Sequence, residues 1–168
     1  MEWVLFANHI SKFFWHQKFC VREMKHNIDI LAIGAHPDDV ELGCGGTIAK
    51  HISQGQSVAI IDLTRGELGT RGSIEIRDLE SRKAADILLV KDRFNLGLRD
   101  GWIENNEDSQ LSLISFLRHL RPKIVLCTAP NDRHPDHVIS SKLIVDACFK
   151  SGLKKIETQW EGKTQHAC

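Results

Sequence analysis

The chain has 168 residues, 26% of them charged and 42% hydrophobic, enough for one domain with a buried core. Lys+Arg and Asp+Glu are both 22, so the formal net charge is zero, which argues against an electrostatic nucleic-acid binder. No apolar run approaches the length of a membrane span. The five cysteines are odd in number and show no CxxC spacing, which argues against a disulfide framework or a cysteine-built zinc site and fits a reducing, cytoplasmic setting.

Residues 1–23 are rich in aromatics with scattered charges, and they lack the basic, apolar and small-residue order of a signal peptide. They read as an extension upstream of a start at Met24, from which "MKHNIDILAIGAHPDD" enters a strand directly. The domain is therefore expected over residues 24–168. Ile28 to Ile33 is a nearly continuous apolar run, as in a strand buried on both faces. Gly43 to Gly46 reads as a glycine-rich turn, followed by a short helix from Thr47 to Gln54. Ser57 to Leu63 is a second buried strand, and Thr64 to Ser73, "TRGELGTRGS", is a loop. Ile74 to Val90 has apolar residues at a helical period. Arg93 to Leu96 suits a short strand, Ser109 to Leu120 a helix and Lys123 to Thr128 another strand. Pro135 to Lys150 suits a helix with proline in its first turn, and a further strand is expected to begin within Lys154 to Thr158. Cys127 and Cys148 lie in apolar runs and read as small core residues.

Alternating strands and helices predict an α/β fold with a parallel sheet covered on both faces. Ligands bind such sheets at the carboxyl ends of the strands. "GAHPDDVELG" (34–43) follows the first strand and "NDRHPDH" (131–137) follows a later one, so both clusters fall on the same rim.

The residue types there suit metal chemistry. His36 and Asp39 lie three apart on a tight turn, and His137 can supply a third ligand. Two histidines and a carboxylate suffice for catalytic zinc with one position open, and the ion would acidify water and polarise a carbonyl. A single HPD element is more simply a turn whose Asp caps a helix; two copies, each after a strand, favour the metal. Asp38 is then the unspent carboxylate and the candidate general base. His134 can protonate a leaving amine or stabilise an oxyanion. Asp136 can orient His134, support a ligand histidine or favour the helix N-terminus. Glu41 is open between a supporting role and a helix N-terminal acid. Gly43, Gly45 and Gly46 are read as allowing close backbone approach, although "GCGGT" lacks dinucleotide-binding spacing. Arg71 can clamp a substrate carboxylate or sit on the surface. Arg77 and Glu80 have the spacing of a helical pair. Asp100 is either a turn former or a site residue; with Arg71 and Asn131 it makes up the candidate substrate-binding set.

"AHPDDVELGCGGTIA", "TRGELGTRG", the Arg77–Glu80 spacing and "PNDRHPDH" together resemble the PIG-L/LmbE-like zinc-dependent N-deacetylases. The resemblance covers residues 24 to about 158. "GTRG" and "DRHPDH" look most like the family's bacillithiol-biosynthesis branch, which deacetylates N-acetyl-glucosaminyl malate. The resemblance implies a Rossmann-like fold and zinc on His36, Asp39 and His137. It implies Asp38 as base, His134 with Asp136 as an assisting pair, and Arg71 on the malate carboxylates. It also implies a small-molecule glucosamine conjugate as partner and a homo-oligomer, often a hexamer. Against the family pattern, residues 1–23 are extra and the chain stops early, so a truncated C-terminal part and an incomplete sheet are expected.

Overall fold

Strand β1, Ile30–Gly34, is buried at every position, and so is β2, Val58–Thr64. Their alternate side chains face opposite sides of the sheet. Leu31, Ile33, Ile61 and Leu63 point into one core, and Ile30, Ala32, Val58 and Ile60 into the other. A strand that is buried at every position therefore serves two layers of helices. The computed structural model describes residues 27–167, and the expected extension over 1–23 lies outside them.

The remaining elements are α1 (Asp39–Ser53), α2 (Ile74–Leu88), β3 (Asp92–Leu98), α3 (Glu107–Leu120), β4 (Ile124–Leu126), α4 (Pro135–Ser151), β5 (Thr158–Trp160) and β6 (Lys163–Gln165). The main sheet has the order β3-β2-β1-β4 and is parallel throughout. Helices α3 and α4 cover one face through Leu113, Ile114, Leu117, Leu143 and Ile144. The opposite face is covered by α1, through Val40 and Ile48, and by α2, through Ala85. This is the doubly wound α/β arrangement with helices on both faces. The strand order reverses at β1, whose neighbours are β2 and β4, and the crevice outside their carboxyl ends is where such sheets bind ligands.

Several local expectations are corrected. Residues 43–46 are not a turn between strand and helix. Helix α1 begins at Asp39 and runs through them with a kink at Cys44 (φ −146°, ψ 16°). The glycines there are not demanded by close approach either, since a Cβ at Gly43, Gly45 or Gly46 would meet nothing within 4 Å. Cys127 is exposed rather than core, whereas Cys148 is half-buried and packs against the core as expected. β3 is longer than Arg93 to Leu96. β4 is shorter than Lys123 to Thr128, and as an edge strand it leaves Ile124 50% exposed.

The strand expected to begin within 154–158 starts at Thr158, and it extends no main sheet. β5 and β6 form an antiparallel hairpin, closed by Glu161 and Gly162, both at positive φ, the backbone of a two-residue hairpin turn. It docks on α3, where Trp160 stacks on His119 at 4.0 Å between ring centroids and meets Phe116 edge-on.

Two buried arginines hold the layers together. Arg93 on β3 donates to both oxygens of Asp62 on β2 at 2.7 and 2.9 Å, and also to Glu41 on α1 and the Ser81 carbonyl on α2. Glu41 is thus an ion-pair partner, not part of the rim cluster. Arg118 on α3 is 3% exposed and donates to the carbonyls of Ser151, Leu153 and Ile156 and to Thr158 Oγ1, at 2.7–3.0 Å. It terminates α4 and fixes the path into the hairpin. Replacing it by Met would leave buried carbonyls without donors. We expect Arg118→Met to lower unfolding stability by about 3 kcal/mol, as charged-donor hydrogen bonds and unsatisfied acceptors predict. Urea unfolding measures this, with the loss visible also as faster exchange in 151–158.

Candidate metal centre

The HPDD turn owes its shape to the end of β1. Thr64 donates from both its backbone N–H (3.0 Å) and its Oγ1 (2.9 Å) to the Ala35 carbonyl, tying the carboxyl ends of β1 and β2 together. The chain then reverses so tightly that a Cβ on Gly34 would lie 3.0 Å from the Asp39 Cβ and 3.2 Å from the His36 carbonyl oxygen. Glycine is what lets Asp39 fold back beneath β1. The Asp39 Oδ2 accepts the His36 N–H at 2.8 Å, closing the turn.

Asp38 occupies the N-cap position of α1, the usual place for a carboxylate that caps a helix. Its side chain makes no such bond. It is 56% exposed, and the nearest cation is Arg77, with Nη2 3.9 Å from Oδ1. The capping explanation for this aspartate is therefore removed.

The second cluster arrives from β4. His134 caps α4, Pro135 follows in the first turn, and Thr128 Oγ1 donates to the His137 carbonyl at 2.9 Å. This brings His137 Nε2 to 3.2 Å from Asp39 Oδ1, while His36 Nδ1 is 3.4 Å from Asp39 Oδ2. The two histidine rings are 5.5 Å apart. His36, Asp39 and His137 each offer one ligand atom, all within 4.8 Å of one another.

Each histidine is held from behind. His36 Nε2 lies 3.0 Å from Asp100 Oδ1 and 3.3 Å from Asp136 Oδ2, and His137 Nδ1 lies 3.0 Å from Asp132 Oδ2. A carboxylate on the far nitrogen fixes ring orientation and tautomer and raises basicity, as behind metal-bound histidines. The donor set thus fits a divalent ion with three protein ligands and an open side. A second grouping, His36, His134 and Asp136, has similar spacing. Asp136, however, is 2% exposed and already accepts the Gly101 N–H at 2.8 Å, which leaves the first set as the one with room for an ion.

The charges agree. Burial works against a charged His36, but the hydrogen bond and charge of Asp39, with Asp100 and Asp136, outweigh it and raise its pKa to about 9. Burial likewise opposes charge on Asp39, but the His36 ring and N–H, with His137, hold its carboxyl below the usual range. This is a strongly cation-seeking pocket.

The other sequence-derived residues separate into two groups. His134 joins the cluster, its ring 4.9 Å from that of His36 and 4.8 Å from that of His137. Its Nδ1 accepts the Asp136 N–H at 3.3 Å, which leaves the proton of a neutral ring on Nε2. Asp136 orients His134 through its backbone, while its carboxylate supports His36. Asp100, expected to bind substrate, is instead buried behind His36 at 6% exposure. Arg71 and Asn131 are exposed and make no hydrogen bond or ion pair with the cluster among the described residues. Arg77 turns toward Asp38, not Glu80. Sequence reasoning missed Asp132, and also Glu67, whose Oε1 accepts the Asp100 N–H at 2.8 Å. Asp132 lies inside "NDRHPDH", five residues before His137, where a loop can fold back. Beside the cluster a cleft of about 660 Å³ opens toward α1 and β4, lined by Asp39, Cys44, Leu126, Thr128 and His137 among others.

Fold and site together define a doubly wound α/β protein with a His/Asp cluster that could hold a metal ion at the reversal of its strand order. The family model described as PIG-L, GlcNAc-PI de-N-acetylase, matches residues 31–148, and the chain belongs to that family. The diacetylchitobiose deacetylase of Thermococcus kodakarensis is 33% identical over 134 residues, covering 74% of this chain and 50% of that protein. A probable N-acetyl-alpha-D-glucosaminyl L-malate deacetylase 2 of Bacillus anthracis is 29% identical over 137 residues, covering 74% and 61%. The crystal structure of a conserved protein from Thermus thermophilus, TT1542, superposes with a TM-score of 0.76 at 44% identity, covering 80% of this chain and 61% of that one. The chain thus spans between half and two thirds of the length of these relatives. Among the described residues no helix is long and apolar enough to cross a membrane.

Supporting carboxylates of this kind typically change metal affinity by about 10–100-fold. Asp132→Ala is expected to weaken metal binding by about that factor with little change in folding, because Asp132 is on the surface. Competition with a chelator indicator measures it.

Proposed function

We propose that this protein is a zinc-dependent N-deacetylase of glucosamine conjugates, with N-acetyl-glucosaminyl malate as its substrate. The observation that carries the reading is the pairing of a His36–Asp39–His137 donor set with a neighbouring carboxylate, Asp38, that the helix does not use. When bound by that set, zinc would polarise the amide carbonyl and lower the pKa of a water.

The chain's own groups supply the rest. Asp38 accepts the proton of the attacking water. His134, its Nδ1 occupied by the Asp136 N–H, keeps Nε2–H as a donor within the histidine cluster. It can stabilise the developing oxyanion, and the leaving amine takes up the proton that Asp38 accepted from the water. Asp100, Asp136 and Asp132 hold the ligand histidines and touch no substrate. Arg71, exposed and flanked by glycine at 72, is free to meet the carboxylates of an anionic conjugate with its fork of donors. The similarity to the Bacillus anthracis protein supports the malate conjugate. The similarity to the archaeal enzyme keeps the neutral sugar N,N′-diacetylchitobiose as the comparison substrate.

A second reading is metal binding at the same donor set without turnover.

The test is acetate release from N-acetyl-glucosaminyl malate and from N,N′-diacetylchitobiose by zinc-loaded protein. Turnover is expected on the malate conjugate and is expected to stop with a chelator. Asp38→Asn should lower kcat by about 10²–10⁴-fold, the range of general base catalysis, while zinc content stays at the wild-type level. Zinc retention without turnover on either substrate would select the second reading. Full turnover by the Asp38 variant would remove Asp38 from the mechanism.

A further inference from the structure

The loop between β2 and α2 contains "RGELG", a stretch with no part in the chemistry assigned to Asp38 and His134. It is nevertheless pinned at both ends. On one side Asp100 holds it: the Leu68 N–H donates to Asp100 Oδ2 at 2.9 Å, and Glu67 Oε1 accepts the Asp100 N–H at 2.8 Å. The other oxygen of Asp100 is the one facing His36. On the other side lies Arg77, from the first turns of α2. A Cβ on Gly66 would be 2.5–2.7 Å from three atoms of its guanidinium, and a Cβ on Gly69 3.0 Å from Nη1. The guanidinium therefore lies flat against backbone that only glycine can offer, and Gly66 also has φ +65°. The Arg77 Nε is buried there with no hydrogen-bond partner.

The Nη2 of this guanidinium, itself against Gly66, lies 3.9 Å from Asp38 Oδ1. Asp38 makes no capping bond, and Arg77 is the cation facing its carboxylate among the described residues. An exposed pair at this separation adds little to stability. Its physical effect is to select one direction for a carboxylate that nothing else holds. Arginine suits the task because its planar group can pack beneath two glycines and still present a donor edge.

We propose that Arg77 is a positioning residue. It holds the Asp38 carboxylate in one direction beside the histidine cluster and couples it, through the loop at 66–69 and Asp100, to His36. The proposal rests on the reading of Asp38 as base, and its test has a part independent of turnover. Wild type, Arg77→Lys and Arg77→Met are compared with zinc bound. The χ1 distribution of Asp38, read from Hα–Hβ couplings, is expected to show one rotamer in wild type and in Arg77→Lys and averaging in Arg77→Met. Turnover is expected to fall 10–100-fold in kcat for Arg77→Met, with KM and zinc content unchanged. Arg77→Lys should recover most of it, although hydrogen exchange at 66–69 stays fast in both variants. A purely structural strut predicts instead that turnover follows loop exchange in both variants. That result, or an Asp38 side chain equally averaged in wild type and Arg77→Met, or equally fixed in both, overturns the proposal. If wild type shows no turnover, the deacetylase reading fails, and the rotamer result still decides the role of Arg77.

Discussion

The parallel pairing of β4 with β1 is the constraint on which the site depends. Ile30, Leu31 and Ala32 lie opposite Ile124, Val125 and Leu126. Both strands therefore end on the same rim and release their loops into the same crevice. Asp136 and His36 are separated by 100 residues in sequence, yet their side chains approach to 3.3 Å. Insertion of β2, α2, β3 and α3 between them is possible because β2 and β3 extend the sheet in the opposite direction from β4. A switch in strand order is thus what allows two short histidine loops to face each other with a cleft between them.

Charge then divides the labour among nearby acids. Asp39 is tied to the His36 N–H and faces both candidate ligand histidines, which hold its carboxyl charged in spite of burial. Asp38, one residue earlier, lies outside that net and faces solvent and Arg77. Adjacent residues at a helix start point in different directions, so the turn can present one carboxylate to a cation and leave the other to handle a proton. Asp100, Asp136 and Asp132 form the outer layer, each spent on a ring nitrogen. The cluster carries more acids than a metal needs as ligands because its histidines have to be held as well as supplied.

The sheet and its helices were legible because β1 and the first four residues of β2 are continuously apolar, and only a strand covered on both faces can bury such a run. The convergence of "HPDD" with "DRHPDH" followed from the same topology. Other features carried no local signal. The kinked start of α1 was hidden by "GCGG", since three glycines in four positions look like a turn while tertiary packing of Val40 and Ile48 keeps the segment helical. Asp100 could not be separated from a surface turn residue, because its burial depends on a loop from β2 closing over it. Arg77 looked like an ordinary helical i, i+3 partner of Glu80, and only the path of the glycines at 66 and 69 shows where it goes. The hairpin turn "EG" at 161–162 was written in the sequence, but the strands it joins are only three residues each, too short to show an alternating pattern.

The most direct test of the central claim, that the two rim loops build one metal centre, is X-ray absorption at the zinc edge of the loaded protein. Two imidazole nitrogens at about 2.0–2.1 Å and oxygen ligands at similar distance are predicted, with no sulfur. His36→Ala and His137→Ala should each remove one imidazole from the spectrum. A sulfur ligand, or an imidazole count unchanged in both variants, would contradict it.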